Sequence, residues 1–313
     1  MFVIAYKKIF LIISAVIVAC SLGAVLVFGL KPGIDFTGGT LLEVEYPGGR
    51  PDVAQTEEYL NELGLGAYSL RPVGDTGYLL RSRELVEGER TKVLNALSLN
   101  ESTVVEETRM TTIGPVLGAE LRNKAFVALG IVVLVIVLFV AFAFRGVSGK
   151  TKEDEAAKHV SSWYYGLITI LALLHDVLVP LGLFAVLGSF LGAEIDSLFV
   201  MALLAILGYS INDTIVVFDR IRENLRMNAE RNITDEPFEK TVGLSLQQTY
   251  ARSINTSLTT LLALIVLYII GPDTTKQFVL VLTAGVVAGA YSSIFLASPL
   301  LVAVESYRAK KAS

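Results

Sequence analysis

Six runs of about 20 residues, almost free of charge, decide what this chain can fold into. A helix of that length crosses a hydrocarbon core of about 30 Å. Composition agrees, with 53% of the 313 residues hydrophobic and 18% charged, where soluble domains carry about 25% charged residues. The runs predict transmembrane helices over 10–30, 125–144, 162–187, 197–217, 257–270 and 278–304. The fifth is short unless it begins near Arg252. The fold class is a polytopic α-helical membrane protein with six transmembrane helices.

Basic residues set the expected orientation. Lys7 and Lys8 precede the first span. Arg145, Lys150, Lys152 and Lys158 follow the second, Arg220, Arg222, Arg226, Arg231 and Lys240 follow the fourth, and Arg308, Lys310 and Lys311 follow the last. The opposite short loops hold none near Gly192 and one, Lys276. The positive-inside rule then puts both termini in the cytoplasm, as expected of a multi-pass protein of the cell (inner) membrane. Lys7-Lys8 before an apolar stretch also suits a signal peptide, but the run continues past Cys20 to Leu30, which reads as an uncleaved anchor.

Several classes fall away. The single cysteine, Cys20, excludes an internal disulfide or a Cys-built zinc site, and two histidines, His159 and His175, speak against a His-built metal centre. A net charge of −4 without a dense basic block gives no nucleic-acid surface. Neither Walker nor metalloprotease spacing occurs. No cofactor is expected and no enzymatic activity.

Residues 31–123 hold most of the polar mass, nine basic against fifteen acidic side chains. Strand patterns at 41–46, 67–72, 78–81 and 103–109 alternate with helical ones at 53–63 and 87–97. Pro47-Gly48-Gly49, Gly64 and Gly74-Asp75 punctuate them. That order is βαββαβ, the α+β ferredoxin-like arrangement, here as an extracytoplasmic domain between helices 1 and 2. The chain therefore divides into an anchor (1–30), an outer domain with its hinges (31–123) and a helical remainder (124–313).

Ionisable groups inside apolar spans cost about 2.5–3.5 kcal/mol each on insertion scales and mark function by default. Asp213 is the sharpest, with Ser210 and Asn212 beside it on the fourth helix. On the fifth, Arg252, Asn255, Thr256, Thr259 and Thr260 fall at i, i+3, i+4, i+7 and i+8, one polar stripe that should face a partner helix or water. Moving Arg252 toward or away from Asp213 would switch proton affinity; alternatively, Arg252 snorkels at a helix end and Asp213 clamps helices through hydrogen bonds. His175 and Asp176 lie mid-span in the third helix. Adjacent residues point about 100° apart, so the two are expected to face different spots. Asp176 either supports a kink at Pro180 or joins a proton route. Gly33, Asp35, Phe36, Thr37, Gly38 and Gly39 read as a hinge where the first helix hands over to the outer domain. Gly285, Gly289 and Ser293 repeat every four residues, a small-residue face for helix packing within the chain or against a partner.

Gly33-Ile34-Asp35-Phe36-Thr37-Gly38-Gly39, Leu174-His175-Asp176-Val177-Leu178-Val179-Pro180 and the run Gly208–Asn224, with Asn212-Asp213-Thr214-Ile215-Val216-Val217 at its centre, resemble the SecF family of protein-export membrane subunits. So do Arg252 and Ser257-Leu258-Thr259-Thr260. The resemblance covers nearly the whole chain. It implies kinship with proton-driven transporters of the resistance–nodulation–division superfamily. It implies SecD as partner, the SecYEG translocon and YajC as neighbours, membrane lipid around the spans and an emerging preprotein as cargo. The implied work is ATP-independent completion of translocation driven by the proton-motive force. Rival readings are a proton-driven half-transporter for lipids or small molecules, a non-conducting scaffold, and an intramembrane aspartyl protease using Asp176 and Asp213. The protease family's Gly-x-Gly-Asp signature is replaced here by Ser210-Ile211-Asn212-Asp213.

Overall fold

The computed structural model describes residues 2–86, 88–143, 162–231 and 236–312. The expected cytoplasmic charges Arg145, Lys150, Lys152 and Lys158 lie outside the described residues, as does His159. In chain order the main elements are α1 (Lys7–Phe28), β1 (Gly39–Glu45), α2 (Val53–Asn61), β2 (Ser69–Val73), β3 (Gly77–Ser82), α3 (Glu89–Leu97), β4 (Glu106–Ile113), α4 (Pro115–Ala143), α5 (Ser162–Phe190), α6 (Ser197–Glu230), α7 (Phe238–Ile270) and α8 (Asp273–Tyr291). A π-helical turn (Ser292–Ala297) then leads into α9 (Ser298–Ala312). Six helical stretches are long and apolar enough to cross a membrane, the last running from α8 through α9. The chain forms two compact units, Met1–Lys31 with Ala128–Ser313, and Pro32–Val127.

Within Pro32–Val127 the four strands pair antiparallel in the order β2-β3-β1-β4. With one helix after β1 and one after β3, this is the expected ferredoxin-like topology. Alternation places Leu42, Val44, Tyr78 and Leu80 on one face, against Leu60, Val93 and Leu97 of the two helices. Tyr46 sits edge-on to Tyr78, with centroids 5.7 Å apart, and its hydroxyl donates to the Leu97 carbonyl at 2.9 Å. Burial, with the Tyr78 phenol second, raises the Tyr46 pKa above its ordinary value. Asp52 caps α2 by accepting from the Ala54 amide at 2.9 Å. At α3, the Glu89 carboxylate receives Arg83 (2.7 and 2.8 Å) and the Val86 amide (3.0 Å), which hold its pKa down at about 2.

Residues Ile34–Thr37 make one helical turn rather than extended chain, closed by Gly38 at φ +74° and Gly39 at φ +128°. A Cβ on Gly38 would lie 2.8 Å from Cα of Pro115, and one on Gly39 would lie 2.5 Å from the Ser82 carbonyl oxygen. Glycine is required here twice over, by backbone conformation and by close backbone approach. Phe36 is buried, and the Thr37 hydroxyl donates to the Gly33 carbonyl and accepts from Arg81, both at 3.0 Å.

In the helical unit the core lies among α5, α6, α7 and the end of the chain, with Tyr165, Ile168, Leu207, Phe218, Val242, Leu246 and Leu301 buried together. Close approaches are bought with small residues: a Cβ on Gly182 of α5 would meet Cα of Ser21 on α1 at 2.5 Å. Gly285 and Gly289 likewise face α6 in this chain, at Ile206 and Ser210. Ser293 leaves that row, and its hydroxyl donates to the Ala290 carbonyl at 3.3 Å. The α5 helix runs through Pro180 without interruption.

Three expected boundaries move. The fifth span begins at Phe238, well before Arg252, so α7 has 33 residues and a length of about 50 Å. Thr241, Ser245 and Thr249 lie buried along its first half beside Val242 and Leu246, and these polar residues with Glu239, Lys240, Gln247 and Gln248 lower its hydropathy. The fourth span likewise runs on as α6 to Glu230, and α4 starts at Pro115 instead of 125.

Candidate functional site

Two carboxyl groups lie deep in the helical unit. Asp176 of α5 is fully buried and Asp213 of α6 is 4% exposed. Desolvating a carboxylate without partners is prohibitive, and the partners found are mostly hydroxyls on neighbouring helices. Asp176 Oδ2 accepts from the Ser292 hydroxyl at 2.8 Å and from the Ser210 hydroxyl in a short hydrogen bond. Its other oxygen, Oδ1, lies 2.9 Å from His175 Nδ1. The expectation that His175 and Asp176 face different spots is wrong. Their backbones diverge by about 100°, but both side chains are long enough to swing together inside the packed core.

His175 is buried, its ring stacked on Tyr291 with centroids 5.8 Å apart. The Tyr291 hydroxyl lies 3.1 Å from the Ser14 hydroxyl of α1. Asp176 thus ties α5 to α6 and to the π-helical turn, and the stacked His175 extends the network toward α1. Ser293 was expected only to extend the Gly285, Gly289 packing row; its neighbour Ser292, in the π turn, is the residue that reaches Asp176. Ser210 is the one supporting residue that the structure joins directly to a carboxylate other than the one expected: it bonds Asp176, one turn before Asp213 on the same helix.

Asp213 has a sparser environment. Among the described residues, its hydrogen bond comes from the Ser257 hydroxyl of α7, at 3.5 Å. Arg252 is exposed but turns, with Thr249, toward the groove between α6 and α7; Asn255 and Thr259 are exposed, and Thr256 and Thr260 half-buried. The polar stripe is therefore present on α7, but only Arg252 turns toward α6, while Asn255 and Thr259 face outward from this chain. Asn212 is also exposed. The Thr256 hydroxyl donates to the Arg252 carbonyl at 2.9 Å, and Thr259 and Thr260 both donate to the Thr256 carbonyl.

Beyond Asp213, α6 and α7 continue side by side through a polar seam. Asn224 Nδ2 donates to Ser245 Oγ and to Gln248 Oε1, each at 2.8 Å, and Arg220 Nε donates to Gln248 Oε1 at 2.7 Å. A cavity of about 290 Å³ opens at this seam, lined by Val216, Asp219, Arg220 and Glu223 of α6 and by Gln248, Thr249 and Arg252 of α7. In the sequence Arg220 entered only as a basic residue following the fourth span, and no local pattern marks the cavity. Among the described residues, no group of three or more metal-ligating side chains comes together.

The arrangement combines a fully bonded, hydroxyl-lined carboxyl, Asp176, with a buried and sparsely bonded one, Asp213, one turn before the cavity residue Val216. It has the elements needed to hold a proton in an apolar interior. The two carboxyls have separate partners, the Asp176 oxygens bonding His175, Ser210 and Ser292 and Asp213 bonding Ser257.

Residues 93–151 and 160–307 match the family described as protein export membrane protein SecD/SecF, C-terminal. Residues 23–46 match the SecD/SecF GG motif, which covers Gly38-Gly39. The chain is 39% identical to a protein translocase subunit SecF of Thermobaculum terrenum, the alignment covering 97% of this chain and 94% of that one. It is 34% identical to a subunit of the same name from Anaerolinea thermophila, with the same coverage. Among solved structures it is similar to SecDF of Thermus thermophilus, a translocon-associated membrane protein, with a TM-score of 0.80 and 31% identity. That match covers 97% of this chain and 38% of the SecDF chain.

Proposed function

The chain belongs to the SecD/SecF family of protein-export membrane proteins, and from that premise we propose that it acts in Sec export as a SecF-type subunit that uses the proton-motive force together with SecD. The observation that carries the reading is Asp213, a carboxyl buried between apolar helices with one long hydrogen bond and a polar cavity one turn away. Such a group is cheap to protonate and cheap to deprotonate once a cation approaches. Arg252 of α7 is that cation. A proton moving through the full potential yields about 2.3 kcal/mol per 100 mV, enough to bias a two-state rearrangement of α6 against α7.

The outward polar stripe argues for a partner. Asn255 and Thr259 facing lipid would be expensive, so a second membrane protein covers them. SecD suits that place, because the solved SecDF relative is a single chain of which this one spans 38%. In our reading both termini are cytoplasmic, the ferredoxin-like unit stands on the far side, and the packed Gly33–Gly39 corner is the hinge that transmits helix movement to it. The unit then handles emerging preprotein beside SecYEG, with YajC as a further neighbour, and no ATP is consumed. A second reading, a non-conducting scaffold, draws on the closed Asp176 network, which is what a helix clamp needs.

The test uses membrane vesicles carrying the chain with SecD and a preprotein stalled partway after ATP is exhausted. A proton gradient should complete translocation with wild type and fail to do so with an assembled Asp213→Asn complex. Equal completion by both would make Asp213 structural and favour the scaffold. No response from either, with all partners present, would reject proton-driven export.

A further inference from the structure

Two buried hydroxyls, those of Tyr209 and Ser253, have no hydrogen-bond partner among the described residues, and Ser253 is the one on the α7 face that carries Ser257. Ser253 of α7 is 1% exposed, and among the described residues its Oγ has no hydrogen-bond partner. Leaving a buried hydroxyl unsatisfied is costly, and such a group in a native protein calls for a water or a function. Ser253 stands midway between two other buried hydroxyls. Thr249, four residues before it, lines the α6–α7 cavity, and Ser257, four residues after it, donates to Asp213. Residues at i, i+4 and i+8 share one helix face. All three are buried.

The spacing suits a relay. Four helical residues rise about 6 Å, about twice an O–H···O separation of 2.8 Å. One water between successive hydroxyls therefore completes a hydrogen-bonded line, and each such water would find the polar partners that a buried water requires. At the open end, the cavity of about 290 Å³ has ample room for several waters, each occupying about 30 Å³ in the liquid. Asp219 and Glu223 line it as proton acceptors.

We propose that this cavity is the aqueous mouth of a proton path, and that Thr249, Ser253 and Ser257 form the hydroxyl column joining it to Asp213. The inference rests on the proton-coupling reading above and deepens it by naming the route. The Asp213 carboxylic acid gives its proton to the Ser257 hydroxyl oxygen, which releases its own proton to the next water. Ser253 and Thr249 repeat the exchange, and the proton leaves through the cavity. Each hydroxyl ends neutral with its O–H turned back toward Asp213, as Ser257 donates in the structure, and rotates to reset; Asp213 alone changes charge. On the orientation proposed here the mouth is cytoplasmic, and Arg252, which lines it, sits beside the exit.

The path is tested by proton flux into proteoliposomes carrying the chain with SecD, under an imposed gradient and followed with an internal pH dye. Ser253→Val and Ser253→Thr have nearly the same shape, but only threonine keeps the hydroxyl. Flux should fall about 100-fold in Ser253→Val, the lower range of what a positioned proton-transfer group contributes, and recover at least about tenfold of that loss in Ser253→Thr. Equal flux in Ser253→Val and wild type overturns the column, as does an equal loss in both variants, which would mark a packing effect. Asp213→Asn separates the two levels. If it blocks flux while Ser253→Val conducts, the route alone is wrong; if it conducts like wild type, the reading of Asp213 fails and the column with it.

Discussion

A methyl group added at Gly285 would lie 2.2 Å from Cδ1, 2.3 Å from Cγ1 and 2.8 Å from Cγ2 of Ile206. Ile206 is 1% exposed and β-branched, so it has no free rotamer into which to retreat. Gly285→Ala should therefore push α8 from α6 at a cost of about 1–3 kcal/mol, the usual penalty of overpacking. That is a net figure, since alanine also gains about 1 kcal/mol of helix propensity over glycine. Ile206→Ala removes all three clashing carbons and by itself costs about 2–5 kcal/mol. In that background Gly285→Ala has nothing to strike and partly refills the space, so it should be neutral or stabilising by up to about 1 kcal/mol. The cycle thus predicts a coupling of about 1–4 kcal/mol in favour of the double variant. It is read from thermal midpoints of the purified, detergent-solubilised chain by size-exclusion fluorescence. Additive effects would refute the close α6–α8 crossing, and with it the placement of Ser210 beside Gly289 that brings Asp176 to α6.

Other outcomes follow from the same geometry. Asp176→Ala leaves His175, Ser210 and Ser292 without their shared partner; at about 0.6–1.7 kcal/mol per membrane hydrogen bond the loss is about 2–5 kcal/mol, seen as a lower thermal midpoint than Asp176→Asn gives. Gly39→Ala, at φ +128° and 2.5 Å from the Ser82 carbonyl, should loosen the β1–β3 end by about 1–3 kcal/mol, measured as faster protease cleavage within residues 32–127. Glu89 has a folded pKa of about 2 against an ordinary 4.5, so its stabilising contribution is complete above about pH 4.5 and disappears as pH falls toward 2. Hydrogen exchange at the Val86 amide should accelerate over that window relative to a distant reference amide, and Glu89→Gln should abolish the pH dependence. Unchanged exchange in the wild type would mean that the Glu89–Arg83 contact does not form in solution.

The six spans were legible because twenty uncharged apolar residues admit few other solutions in water or lipid. The ferredoxin-like unit was legible because turn residues at Pro47-Gly48-Gly49, Gly64 and Gly74-Asp75 cut the chain into pieces of the right length and period. What escaped reading is polar and three-dimensional. Thr241, Ser245 and Thr249 hide the first half of α7 from hydropathy, although their four-residue spacing was there to be noticed. The π turn at Ser292 has no sequence mark, so neither the break it makes in the Gly285, Gly289, Ser293 packing row nor the approach of Ser292 to Asp176 was readable. Asp176 and Asp213 were recognisable by the cost of burying them, but the hydroxyls that receive them come from helices 34, 44 and 116 residues away. No local pattern carries that information.

The central claim is that Asp213 takes up and releases a proton as the helices rearrange. Difference infrared spectroscopy of the chain with SecD in lipid, recorded as a proton gradient is applied and collapsed, reports it directly. The account predicts a carboxylic C=O stretching band that follows the gradient, shifts with carbon-13 labelling of aspartate and vanishes in Asp213→Asn while the complex stays assembled. A gradient-dependent band that persists unchanged in Asp213→Asn, or no aspartate band at all in a complex that completes translocation, would contradict it.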